Sequence, residues 1–157
     1  MPRKHMPLLA VLLVACAMMM AACGNSYFCL TNSTSNGVIW TLRSTGTANF
    51  LFDVTRLDTL YAAVGADGTV LTSGDGSEWT IREVDLDADL LGVTASDERI
   101  VAVGTNGTIL TSVNGTVWTA PDTILAGVFM YDVIWTGTRF VAVGQQGAIA
   151  PSTDGLS

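Results

Sequence analysis

The chain has 157 residues, 49% of them apolar and 13% charged, with a formal net charge of −7. That length gives room for about one domain, and the composition is that of a packed globular protein rather than a disordered one. The acidic balance argues against nucleic acid, whose phosphates call for cations.

At the N-terminus Arg3 and Lys4 form a basic head, and an uncharged, almost wholly apolar run follows from Met6 to Ala22. Met20-Ala21-Ala22 then places small residues before Cys23. This order predicts a secretory signal over residues 1–22. The 18 residues from Met6 to Cys23 also reach the lower limit for crossing a bilayer, so an uncleaved anchor is the alternative. The four residues Met20-Ala21-Ala22-Cys23, followed by Gly24-Asn25-Ser26, resemble a bacterial lipobox. That resemblance implies acylation of the Cys23 thiol, export, and a lipoprotein held in the bacterial cell envelope, at the outer membrane or cell surface. Leu13-Val14-Ala15-Cys16 is a second candidate box, but it leaves only residues 6–12 as the apolar segment. The membrane partner would thus be reached through acyl chains, each buried methylene contributing about 0.8 kcal/mol. Loss of Arg3 and Lys4 with the leader takes the net charge from −7 to −9, so anionic headgroups would repel the mature domain.

With Cys23 acylated and Cys16 removed, Cys29 stands alone; with cleavage before Cys16, Cys23 and Cys29 could pair. Residues 23–36 are rich in Ser, Thr and Asn and lack periodicity, the profile of a flexible tether. No cysteine follows, so residues 37–157 must be stabilised by packing.

Those residues are repetitive. YAAVGADGTVLTSGDGSEW at 61–79 returns as IVAVGTNGTILTSVNGTVW at 100–118, and FVAVGQQGAIAPSTDGLS at 140–157 is a third copy. A worn earlier copy, TSNGVIW, ends at Trp40; Trp40, Trp79 and Trp118 are 39 residues apart. A period near 40 marks stacked supersecondary units. Each unit divides into four short strands. The first is LFDV, LLGV or MYDV, its valine 11 residues before the first glycine, and its apolar character predicts burial on both faces. The second alternates alanine with β-branched or aromatic residues, which predicts close spacing between sheets. GADG, GTNG and GQQG then read as hairpin turns whose glycines supply positive φ; with no helix opening and no lysine, they are not phosphate loops. TVLTS, TILTS or AIAPS is the third strand, and Trp79-Thr80 and Trp118-Thr119 open a fourth. Pro151 forces an edge or a distortion in the last copy. The predicted fold is all-β: about three blades of a β-propeller, each of four antiparallel strands, over residues 37–157. Because propellers have about 4 to 8 blades, the segment reads as the N-terminal part of a larger ring; a truncated gene product, or an open partial ring that must associate to cover its end blades, are the alternatives.

Between the third and fourth strands stand Ser73, Asp75, Gly76 and Trp79; Ser112, Asn114, Gly115 and Trp118; and Ser152, Asp154 and Gly155. These boxes resemble the Asp-box, or BNR, repeat of sialidases and of many non-enzymatic propellers. Together with the preceding AVGxxG hairpin they are similar to the repeats of photosystem II stability and assembly factors. They depart from the usual box by one residue, the tryptophan following the serine by six positions instead of seven. Read from the residues alone, the Asp or Asn locks the turn by accepting backbone N–H groups, and the tryptophan is expected to bury its ring between repeats. A residue used identically in every blade faces a different direction each time, which suits a structural role better than a catalytic or metal-binding one.

The only histidine, His5, lies in the leader, so the mature chain has no Ser-His-Asp triad and no histidine metal site. Asp85, Asp87 and Asp89 begin like a calcium loop, but Leu90 stands where glycine is required and Ser96 where glutamate is, so no metal is expected. Arg43, Arg56, Arg82, Arg99 and Arg139, with Tyr61 and Tyr131, are the raw material for a sialidase site, but nothing in their spacing groups three arginines. The reading is therefore a non-catalytic, lipid-anchored module that binds a protein or a glycan, without cofactor. The alternative is the N-terminal fragment of a sialidase-like glycoside hydrolase.

Overall fold

The computed structural model describes residues 40–120 and 127–157. The leader, Cys23, the tether and the worn box up to residue 39 lie outside the described residues. The chain divides into two units, residues 1–42 and 43–157. Of the first, only residues 40–42 are described; they have no regular structure, and Trp40 and Leu42 are exposed. Among the described residues no helix is long and apolar enough to cross a membrane.

The second unit is all-β. Its first sheet runs β1 (Leu51–Leu57), β2 (Leu60–Gly65), β3 (Val70–Ser73) and β4 (Thr80–Arg82), in that order and antiparallel throughout. The second sheet is β5 (Leu90–Ala95), β6 (Ile100–Gly104) and β7 (Ile109–Ser112). The third is β8 (Met130–Trp135), β9 (Phe140–Gly144) and β10 (Ile149–Ser152). The innermost strands stand side by side, β1 against β5 and β5 against β8. This is the stacking of propeller blades.

Among the described residues the fourth strand predicted for every repeat is complete in the first sheet. In the second the described residues carry one bridge at its start, where Thr111 and Thr119 exchange hydrogen bonds of 2.8 and 3.0 Å. Arg82 Nε also donates to Thr72 Oγ1 at 2.7 Å, whereas the equivalent buried Thr111 Oγ1 has no partner among the described residues. The third sheet ends its described residues after the turn that follows β10.

Packing repeats with the sequence. Between the first two sheets, Ala62, Val64 and Val70 meet Val93, Ile100 and Ala102. Between the second and third, Val101 and Val103 meet Val133, Phe140 and Ala142, the same positions one repeat later. The alanines are buried, and their small size is what lets the sheets approach. Burial of the first strand on both faces holds only in the middle: β5 is largely buried, whereas Leu51, Phe52 and Val54 on β1 and Tyr131 and Ile134 on β8 are exposed. The outer two sheets have a described neighbour on one side only.

The turn glycines divide the work differently from the sequence expectation. In the second and third hairpins the positive-φ pairs are Asn106-Gly107 and Gln146-Gly147, and in the first Asp67-Gly68. Thr69 N–H donates to Ala66 O at 3.0 Å, and the same bond recurs from Thr108 to Thr105 and from Ala148 to Gln145, closing type I′ turns. The first glycine of each motif is extended instead: Gly104 has φ −166° and Gly144 φ −153°. It is needed because the neighbouring inner strand crosses over it, at a bulge that recurs at Leu51/Asp53, Leu90/Gly92 and Met130/Asp132.

Candidate functional site

Three turns of one design lie beyond the third strand of each sheet. Ser73 Oγ accepts the Gly76 N–H at 2.8 Å and the Asp75 N–H at 3.3 Å, and donates to Asp75 Oδ1 at 3.1 Å. Asp75 Oδ1 in turn accepts the N–H groups of Ser77 at 2.7 Å and Glu78 at 2.9 Å. Ser112 and Asn114 repeat this geometry onto Gly115, Thr116 and Val117, and Ser152 and Asp154 repeat it onto Gly155, Leu156 and Ser157. The tryptophan closes the loop in the first two: Trp79 Nε1 donates to Gly76 O at 3.3 Å and Trp118 Nε1 to Gly115 O at 3.0 Å. Trp118 packs against the core between the first two sheets. Trp79 is half-buried and lines an open hollow beside Leu51, Phe52 and Val54, so its ring is less enclosed than the sequence suggested.

Each carboxylate is occupied by its own turn. The N–H groups of Glu78 and then Ser77 hold the Asp75 carboxyl below the ordinary value of 3.8, and the Leu156 N–H foremost does the same for Asp154. A group whose folded pKa is depressed contributes stability above its unfolded pKa and loses it as pH falls through the folded value. Asn114 makes the same bonds without titrating. The double variant Asp75→Asn/Asp154→Asn is therefore expected to melt like the parent at neutral pH and to lose thermal midpoint less steeply between about pH 5 and pH 3. Parallel acid limbs for the two proteins in a calorimetric pH series would show that these carboxylates carry none of the acid sensitivity.

The acidic run 85–89 forms an extended connection rather than a calcium loop. Asp85 and Asp87 are exposed, Leu86 packs on the core, and Asp89 Oδ1 accepts the Asp67 N–H at 3.0 Å, tying the second sheet's entry to the first sheet's hairpin. Among the described residues no three His, Cys, Asp or Glu side chains form a metal-holding group. The arginines are dispersed in role: Arg56 lies over the Tyr61 ring, its guanidinium 5.5 Å from the centroid, Arg82 bonds Thr72, and Arg99 and Arg139 occupy equivalent turns of neighbouring sheets.

The feature that sequence reasoning missed is a cleft of about 320 Å³ between the second and third sheets. Its walls are the β5–β6 turn (Asp97, Glu98, Arg99), the box turn at Asp154, and the aromatic pair Trp135 and Phe140. The two rings lie 4.6 Å apart between centroids, tilted by 47°. Cross-strand register puts them together: Trp135 faces Phe140 where the earlier repeats have Arg56 opposite Tyr61 and Ala95 opposite Ile100. The signal was therefore present as a break in the repeat. An aromatic floor rimmed by two acids, an arginine and a turn carboxylate has the chemistry to hold a ligand carrying both apolar and polar groups.

A comparison with solved structures places the sheets among propellers. They superpose on YCF48 bound to D1 peptide with a TM-score of 0.62 and 21% identity, covering 70% of this chain and 40% of that one. YCF48 from Cyanidioschyzon merolae matches with a TM-score of 0.57 and 24% identity, covering 70% and 36%. The WD40 β-propeller domain of Doa1 matches with a TM-score of 0.54 and 18% identity, covering 69% and 38%. The chain thus spans 36–40% of the length of these solved chains. At such identities the likeness speaks for the fold. No curated protein matches. A family profile described as the DUF6242 beta propeller domain matches residues 9–155, and the chain belongs to that family.

Proposed function

We propose that this chain is a non-catalytic binding module, held in the bacterial envelope by acylation of Cys23, and that its aromatic cleft receives a segment of a partner protein. The observation that carries the reading is the contrast between the two kinds of polar group. The repeated Ser and Asp or Asn side chains are consumed by their own turns, whereas Trp135, Phe140, Glu98 and Arg99 line an open cleft at a place where the repeat is broken. An aromatic floor with mixed charge at its rim is the composition of a recognition surface. The solved propeller described as bound to a D1 peptide supports a peptide as occupant.

The test is a photo-crosslinking residue placed at Glu98 in the full chain, expressed in its own envelope. One discrete protein adduct is expected, lost on Trp135→Ala and kept on Asp85→Ala, which is exposed and away from the cleft. Adducts to polysaccharide alone would make the ligand a glycan. Absence of any Trp135-dependent adduct, or hydrolysis of a fluorogenic sialoside by the full chain, would overturn the reading. Anchoring is tested separately: incorporation of a palmitate analogue is expected to vanish on Cys23→Ala.

A further inference from the structure

The first sheet packs on the second and the second on the third, and both junctions are built from described residues. At each, the turn joining the first two strands of one sheet stands beside the box turn of the next. Repeat position therefore gives the residues of the cleft their counterparts at the first junction: Leu57 for Ser96, Leu60 for Arg99, Ala95 for Trp135, Ile100 for Phe140 and Asn114 for Asp154.

At the first junction this place is apolar and filled. Leu57 and Leu60 pack against the core, and Leu60 reaches so far over the box turn that a Cβ on Gly115 would collide with its Cδ2. At the second junction the stem of Arg99 takes the place of Leu60, its Cδ 3.4 Å from where a Cβ on Gly155 would stand. Ser96, in the place of Leu57, is turned onto its own backbone. Its Oγ accepts the N–H groups of Glu98 at 3.3 Å and Arg99 at 3.1 Å and donates to Arg99 O at 3.3 Å, while the Ser96 N–H donates to that carbonyl at 2.8 Å. These bonds fix the turn and the points from which Asp97 and Glu98, both exposed, project. Where the first junction has an apolar plug, the second has the open cleft of about 320 Å³.

Charge decides what that cleft takes. Its rim carries three carboxylates, Asp97, Glu98 and Asp154, against the single guanidinium of Arg99. Asp154 spends its Oδ1 on the N–H groups of Leu156 and Ser157, so Asp97 and Glu98 are the carboxylates that can turn to a ligand. Phe140 is buried and Trp135 half-buried, so the indole offers most of the aromatic surface. An indole face attracts a cation lying within about 6 Å more strongly than any other side-chain ring. An uncharged apolar segment would cover the rings and leave the two acids desolvated without partners.

We infer that the segment received by the cleft enters by an arginine or lysine whose stem lies along Trp135 and whose charged head meets Asp97 and Glu98. The inference rests on the cleft being the seat of a partner protein and adds the chemistry that partner must present. Arg99 offsets one of the three carboxylates, and a cation still enters a negative site. The chain around it, with a formal net charge of −7, steers a basic segment toward it.

The test uses the full chain in detergent solution, labelled with fluorotryptophan, with the Trp135 signal identified by its loss in Trp135→Phe. The probes are an acetylated and amidated Gly-Arg-Gly peptide and the same peptide carrying citrulline, which keeps the shape of arginine and lacks its charge. The arginine peptide should move the Trp135 fluorine resonance and leave that of Trp118, which packs against the first junction. The citrulline peptide should bind about tenfold more weakly. In Asp97→Asn/Glu98→Gln, which replaces two exposed side chains, the two peptides should become equal; Asp85→Asn should change nothing. Equal shifts with both peptides in the parent, or an arginine preference that survives in the double variant, overturns the inference while leaving the cleft a binding site. No Trp135 shift with either peptide overturns it too; a Trp135-dependent protein adduct at Glu98 would then keep the partner and show that it enters by other chemistry.

Discussion

Gly104→Ala is expected to lower the stability of the domain by about 3 kcal/mol or more, among the largest effects available to a single methyl group. The cause is steric. A Cβ on Gly104 would lie 1.9 Å from the Asp89 carbonyl oxygen and 3.0 Å from the Leu90 Cα, both of them backbone. That backbone has little freedom to withdraw, because Thr105 N–H donates to Asp89 O at 2.9 Å and Asp89 N–H donates to Thr105 Oγ1 at 3.0 Å. Gly147→Ala is the control from the same motif. It stands at φ +76° with nothing within 4 Å of its Cβ, so it meets only the left-handed backbone penalty, about 1–2 kcal/mol. Urea titrations of the two variants would read the difference directly. Equal losses would show that the crossing strand yields and that close approach is not why the first glycine is there.

That pair of glycines also shows where sequence reasoning reaches its limit. The period, the strands and the all-β stacking were legible because they are properties of spacing, and spacing is written along one chain. Which glycine of GTNG turns the hairpin and which makes room is a property of a neighbouring strand about 15 residues away, so pattern alone assigned positive φ to both. The box residues were legible as turn-formers because Ser, Asp and Gly act on their own backbone within a few positions. The cleft was not, because Trp135, Phe140, Arg99 and Asp154 come together only through cross-strand register and the apposition of two sheets.

Leu90→Ala should cost about 3–4 kcal/mol, the upper part of the usual range for deleting a buried leucine, because the side chain is completely enclosed where two sheets meet. Its neighbours Val64 and Val70 belong to the first sheet and Ile100 and Ala102 to the second, so the vacated volume weakens a junction rather than a single sheet. In a stacked array, stability is the sum of the units' own terms and those of their junctions. The loss should therefore appear as uncoupling as well as a lower midpoint. Trp79, beside the first sheet's open hollow, and Trp135, in the third, would report separate transitions by fluorescence in variants that retain only one of them. In the parent background the two transitions should coincide. Met130 occupies the equivalent buried place between the second and third sheets, so Met130→Ala should leave the first junction cooperative while detaching the third sheet. Coincident transitions in Leu90→Ala at every denaturant concentration would mean that the sheets unfold as one body and that the junction is not the weak point.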